Sequence, residues 1–223
     1  LAVTERVAGS LQLRVIDLVS GDDHAIAFSE PAYSVHTSGN AEFATTMLRF
    51  VYTSMTTPAS TYDYDLATRE RVLRKRQPVP GYDPANYVTE RLWAPAKDGT
   101  KIPVSIVYRK GFEKNGKAAL LQYGYGSYGA SMDPGFSATT VSLLDRGMAY
   151  AIAHVRGGQE MGRQWYDDGK LLKKKNSFTD FIDVTDHLVK QGYAAPDRVA
   201  AHGGSAGGLL MGAIANMAPD KYG

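Results

Sequence analysis

The sequence predicts an α/β domain built on a parallel sheet, preceded by a β-only segment. Two observations carry the α/β part. After residue 79, short apolar runs alternate with amphipathic helical stretches, and a glycine-framed serine joins the last run to the last helix. One observation carries the β part: within residues 1–78 Leu11–Leu18 (LQLRVIDL) alternates apolar and polar residues and meets the turn at 20–23, and further short strand candidates follow it.

Composition narrows the class. The chain has 223 residues, 43% hydrophobic and 22% charged, the balance of a soluble globular protein. Its 25 basic and 23 acidic residues leave a net charge of +2, so no global field draws it to nucleic acid or an anionic membrane. Cysteine is absent, which excludes disulfides and thiolate metal sites. That fits a reducing compartment, and the expected location is cytoplasmic. No apolar run approaches the ~20 residues of a membrane span, and Leu1–Ala8 (LAVTERVA) has no apolar core of a signal peptide. The chain starts at Leu1 rather than Met, and Asp220–Gly223 follows an apolar helical pattern directly. A fragment is expected.

Within residues 1–78 the strand candidates are Leu11–Leu18, Ala32–His36, Leu48–Ser54, Thr61–Leu66 and Arg71–Gln77. Arg14–Leu18 (RVIDL) is echoed by Asp63–Leu66 (DYDL), each followed by a polar turn and another strand. The two aspartates, Asp17 and Asp65, are 48 positions apart, near the ~40–50-residue period of four-stranded propeller blades. Two blades, or two unrelated hairpins of a sandwich, both fit this echo. Residues 78–91 (PVPGYDPANYVTER) hold three prolines and little periodicity, and read as a linker between domains 1–78 and 79–223.

In the second domain Lys101–Tyr108 alternates as a strand. Ala118–Tyr123, Met148–Val155 and Arg198–His202 are short apolar runs of the kind buried in parallel sheets. Phe136–Arg146 is a helix closed by Gly147. Ser177 with Asp180 three positions on resembles a capping box, opening a helix with apolar face Phe178, Phe181, Ile182, Leu188 and Val189 that ends at Gly192. Leu209–Met217 is the body of the last helix.

The chemistry centres on Gly203-Gly204-Ser205-Ala206-Gly207-Gly208. It matches G-x-S-x-G between a strand and a helix, the context of a nucleophile elbow. The serine needs a tight, strained turn to project its hydroxyl, and flanking glycines remove the clash. The Ala206 N–H falls at the helix N-terminus, where it can stabilise an oxyanion. Gly124–Gly129 also matches G-x-G-x-x-G, but Ala130–Gly135 reads as loop, and Asp145 precedes the second strand instead of ending it. Nucleotide binding is therefore not expected. The basic runs Lys170–Lys175 and Arg69–Arg76 read as solvated faces. The five histidines lack metal spacing, so neither metal nor cofactor is expected, and His154 and His202 read as structural strand ends. Elbow hydrolases place their acid and histidine after the serine, and residues 206–223 contain no histidine.

Tyr123–Gly129 (YGYGSYG), His154–Gln164 (HVRGGQEMGRQ), Trp165–Asp180 (WYDDGKLLKKKNSFTD) and His202–Leu210 (HGGSAGGLL) together resemble the prolyl oligopeptidase family of serine peptidases. Ala206, the lysine-rich stretch and Tyr52–Leu66 (YTSMTTPASTYDYDL) look most like its oligopeptidase B branch. The resemblance implies a β-propeller over an α/β-hydrolase domain, with about one and a half blades in residues 1–78 and an incomplete hydrolase domain in 79–223. It implies Tyr125 as the oxyanion donor, a sensible role where no HGGG-type loop exists, and Tyr128 as a pocket residue. It further implies an endopeptidase that hydrolyses short peptides after Lys or Arg, read by acidic residues outside this chain. Cleavage after Pro, a carboxylesterase on the same domain and a non-catalytic interaction protein are the rival readings.

Overall fold

The computed structural model describes all residues, Leu1–Gly223. The chain forms two compact units, one of Leu1–Pro84 with Asp133–Ser137 and one of Ala85–Met132 with Ala138–Gly223.

The first unit is antiparallel throughout. Strands β1 (Ala2–Val7), β2 (Ser10–Ile16) and β3 (Asp23–Ala25) make one sheet, in that order. Strands β4 (Tyr33–Thr37), β5 (Met47–Ser54), β6 (Ser60–Asp65) and β7 (Arg71–Arg76) make a four-stranded meander, the form of a propeller blade. Period-two alternation sets the inward faces: Leu11, Leu13 and Val15 from β2 and Leu48, Phe50 and Tyr52 from β5 share one apolar core. The sequence echo is a repeated hairpin. Asp17 Oδ1 accepts the N–H groups of Val19 and Ser20, and Asp65 Oδ1 those of Ala67 and Thr68. Those backbone donors hold both exposed carboxyls below the usual range. The backbone bonds Gly21 N→Asp17 O and Arg69 N→Asp65 O, each 2.9 Å, repeat as well. The outer strand β7 is exposed along its length, and its arginines keep that edge from pairing with other chains. The solvated reading of Arg69–Arg76 holds, with Arg69 on Asp22 and Arg74 on Asp63.

The second unit is one five-stranded sheet. Its strands are β8 (Tyr87–Pro95), β9 (Lys101–Arg109), β10 (Leu120–Tyr123), β11 (Ala149–Ala153) and β12 (Val199–His202), in the order β12-β10-β11-β9-β8. β10 is parallel to β11 and β12, while β9 is antiparallel to β11 and to β8. Helices α1 (Ala138–Leu144), α2 (Arg163–Asp167), α3 (Lys175–Lys190) and α4 (Ala206–Met217) complete it. Ile102, Val104, Ile106, Leu120, Phe181, Leu188, Leu210 and Ile214 anchor its core.

Two expectations need correction. Residues 87–91 are not linker but the start of β8, an edge strand whose apolar content is diluted by Thr89, Glu90 and Arg91. Ser177 is not a helix cap: α3 starts earlier, with Lys174 at the cap position. The buried Ser177 hydroxyl instead lies 2.5 Å from Arg156 O, with Gly126 O and Gly169 O at 3.2 and 3.3 Å. Asp180, the other half of the expected box, is fully buried and takes the Arg156 guanidinium through both oxygens, at 2.5 and 2.8 Å, plus the Arg156 N–H at 3.0 Å. Burial pushes the Asp180 carboxyl up, against the hydrogen bonds and charge of Arg156 that pull it down.

Removing Asp180 takes away two of the three carboxylate contacts of the buried Arg156 guanidinium, leaving only Asp98 at 2.7 Å from Nη1. Asp180→Ala is expected to lose about 3–5 kcal/mol of stability, measured by urea denaturation of the full-length protein. A loss below about 1 kcal/mol, the worth of a surface pair, would show that the pair is not holding the fold.

Candidate active site

Sheet register brings the site together. β10 and β12 are parallel with Tyr123 opposite His202, so the chain leaves both strands at the same, carboxyl-terminal edge. The ladder continues one step further, through Gly124 N→His202 O at 3.1 Å. Beyond it come Tyr125 on one strand's exit and the Gly203–Ser205 turn on the other.

Ser205 sits on that turn at φ 55°, ψ −118°, immediately before α4. A non-glycine residue holds such a backbone only when its surroundings impose it, at about 1–3 kcal/mol. The surroundings here are a three-way backbone crowding. A Cβ on Gly203 would lie 2.6 Å from Gly207 O and 2.9 Å from Gly124 O, and one on Gly207 would lie 2.8 Å from Gly124 O. Gly124 itself is pressed by Phe181 of α3 and Leu210 of α4, at 2.8 and 3.1 Å from a built Cβ. Gly207 N→Gly204 O and Gly208 N→Ser205 O, both 2.8 Å, close the turn. The result is a solvent-exposed serine whose hydroxyl makes no hydrogen bond within the chain. Ala206 is the first residue of α4, so its N–H lies at the positive end of the helix.

Tyr125 is half-buried and next to the elbow, its Cδ2 being 3.6 Å from a Cβ built on Gly207. Tyr128 is 79% exposed, at φ 61°. Between them Gly126 turns at φ 65°, where a Cβ would meet Val155 Cγ2 at 2.7 Å. Residues 124–135 form loop before α1, and Asp145 accepts from Tyr87 and pairs with Arg109. No helix begins inside the glycine run, as the rejection of a nucleotide site requires.

The histidines divide differently from expectation. His202, expected in a buried strand end, is exposed and leans on the Tyr123 ring with centroids 5.6 Å apart. His154 is 1% exposed and lies 2.8 Å from Ser105 Oγ and 3.7 Å from Glu160 Oε1. Ser, His and Glu in that order imitate a catalytic triad. Ser105 is fully buried, however, and its hydroxyl already accepts from Arg91 Nη1 at 2.8 Å. No substrate carbonyl reaches it, so the constellation is a buried polar cluster rather than a second nucleophilic site. No local sequence pattern marks it, because its other members are 49 or more positions from Ser105.

One lysine of the basic run is likewise misplaced by the sequence reading. Lys170 and Lys173 pair with Asp167 and Asp168 at the surface. Lys174 turns inward instead, onto Gly126 O and Ser127 Oγ.

A serine on a strained strand-to-helix turn, at the carboxyl edge of a parallel sheet that begins with antiparallel strands, defines an α/β-hydrolase-type domain. Comparison with known proteins narrows it. Residues 1–77 match the prolyl oligopeptidase N-terminal beta-propeller domain, and residues 134–223 the prolyl oligopeptidase family. Dipeptidyl aminopeptidase BI of Pseudoxanthomonas mexicana is 66% identical over 221 residues, covering 99% of this chain and 30% of that protein. Protease 2 of Moraxella lacunata is 42% identical over 223 residues, covering 100% and 32%. Oligopeptidase B from Leishmania major superposes with a TM-score of 0.89 at 40% identity, covering 99% of this chain and 32% of that one. The chain belongs to the prolyl oligopeptidase family and pairs propeller strands with an α/β-hydrolase domain; it spans about a third of the length of these relatives.

The glycine frame makes two adjacent positions behave differently. Gly204 has nothing within 4 Å of a built Cβ, so Gly204→Ala should leave melting temperature and phosphonate labelling of Ser205 in the full-length protein near wild type. Gly203→Ala must displace two carbonyls and should abolish labelling. Equal behaviour of the two variants would contradict this geometry.

Proposed function

We propose that this chain carries the nucleophile and the oxyanion donors of a serine peptidase acting on short peptides. The observation that carries the reading is the strained, exposed Ser205 at the head of α4. Its Oγ attacks the scissile carbonyl carbon, and its proton passes to a histidine base. In elbow hydrolases that base follows the serine in chain order, and residues 206–223 contain none. The carbonyl oxygen becomes an oxyanion, which accepts from Ala206 N–H and the Tyr125 phenol. Collapse breaks the C–N bond, the amine leaves with the proton held by the base, and water then hydrolyses the Ser205 ester. Tyr128, exposed near this edge, lines the approach of substrate. The domain division at residues 78/79, with about one and a half blades before it, remains part of the reading. The cytoplasm is the proposed compartment, supported by the absence of cysteine and of any helix long and apolar enough to cross a membrane.

The residue recognised before the cleaved bond is proposed to be Lys or Arg, supported by the 42% identity to protease 2 and the likeness to oligopeptidase B. A second reading is favoured by the relative at 66% identity, named a dipeptidyl aminopeptidase: release of dipeptides from a free N-terminus. Fluorogenic dipeptides ending in Arg, Lys or Pro, each with free and blocked N-termini, separate the cases. Faster turnover of blocked Arg peptides supports the endopeptidase, and dependence on a free amine supports the exopeptidase. Faster cleavage after Pro would overturn the Lys/Arg preference.

Tyr125→Phe should lower kcat by roughly 100- to 1,000-fold, as for loss of one oxyanion donor, because the charge exists only in the transition state. A fall of less than about threefold would remove Tyr125 from that role. Mass spectrometry of the phosphonate-treated full-length protein should find the adduct on Ser205, and an adduct on another serine with Ser205 untouched would sink the assignment.

A further inference from the structure

Lys174 stands out among the cations of the second unit. It occupies the N-cap position of α3, half-buried, and its ammonium has no carboxylate within ion-pairing distance, whereas Lys170 and Lys173 each have one. Two effects of the same sign oppose a charge there. The helix N-terminus is positive, and withdrawal from water disfavours an ammonium; burial accordingly lowers the Lys174 pKa. What the ammonium gains is three oxygen acceptors: Gly126 O, Ser127 Oγ at 2.7 Å and Ser177 Oγ at 3.3 Å.

Two of those acceptors belong to the Gly126–Ser127 turn, and the third, Ser177, belongs to α3. Gly126 O also faces the Ser177 hydroxyl at 3.2 Å, and the turn is backed by Val155. The peptide group after Gly126 is thus gripped from α3, and Tyr125 is the residue before it. A hydrogen-bond donor for a transient oxyanion has to be held to about 0.5 Å. The phenol reaches its place from a loop, and loops are held by what grips their backbone.

We propose that Lys174 is a positioning residue, whose ammonium fixes the Gly126–Ser127 turn and thereby sets Tyr125 as oxyanion donor. The inference rests on the Tyr125 reading above. The Ser127–Lys174 pair is not a second nucleophilic dyad, since Ser127 is only 9% exposed.

The test is a double-mutant cycle in the full-length protein, with kcat and KM on an Arg fluorogenic peptide and melting temperature for each variant. Lys174→Met keeps an unbranched side chain one atom shorter and removes every donor. It should lower kcat by about 10- to 100-fold, the scale of a small misplacement of a catalytic group, with KM changed less than about threefold. In a Tyr125→Phe background it should lower kcat by less than about threefold more, because coupled residues are not additive. Lys174→Gln, which retains an N–H donor without the charge, should recover part of the loss and guards against a variant that merely unfolds. Undiminished loss in the Tyr125→Phe background, unchanged kcat, or a loss confined to KM would each overturn the proposal. If Tyr125→Phe alone costs its full factor while the cycle is additive, only the Lys174 role fails. A silent Tyr125→Phe removes the oxyanion reading and this inference with it.

Discussion

The parallel pairing of β10 with β12 is the constraint on which the site depends. With Tyr123 opposite His202 and the ladder extended by Gly124 N→His202 O, the two strand exits must run side by side. A one-residue shift would reverse which side chains face the core, removing Leu120 from the apolar interior. The register is therefore fixed by burial far below the site, and the site inherits its geometry. Three backbones then meet where only glycine fits, at Gly124, Gly203 and Gly207. That crowding holds Ser205 in a backbone conformation it would not adopt alone.

Helix α3 supplies the second constraint, on the loops rather than the strands. Phe181 closes on Gly124, and Gln122 of β10 donates to the Phe181 carbonyl at 2.9 Å. Asp180 takes the Arg156 guanidinium and backbone after β11, and Asp183 accepts Lys97 N–H at 2.9 Å from the turn between β8 and β9. Ser177 and Lys174 take the turn after β10. One helix thus touches the exits of β10 and β11 and the β8–β9 turn, through buried polar groups whose donors and acceptors are matched. Such groups are costly if unpaired and directional if paired, so they fix loop positions that apolar packing alone would leave adjustable.

Local chemistry was legible in the sequence wherever a pattern had one physical cause. Period-two alternation found β2, turn-bounded strand candidates found β4, β5, β6 and β7, and the echo of Asp17 and Asp65 reflects two turns with the same hydrogen bonds. Glycines around Ser205 found the elbow because steric exclusion is a property of the local backbone. Short or edge elements escaped. β3 has three residues, α2 has five, and β8 carries polar residues on both faces. The first two lack the length over which a period can be counted, and β8 lacks the one-sided apolar pattern.

What the sequence could not convey is direction. Lys173 and Lys174 are neighbours in a run that reads as uniformly solvated, yet one points to Asp168 and the other to Gly126. Ser177 and Asp180 have the spacing of a capping box, but α3 begins two residues before Ser177. Both then fall inside the helix, on the face turned to the sheet edge. The same residue types at the same spacing serve a helix end in one register and a loop in the other. In the register observed, Asp180 meets the buried Arg156, whose guanidinium it shares with Asp98. That pairing favours the start of α3 observed, which in turn places Lys174 against the Gly126–Ser127 turn next to Tyr125.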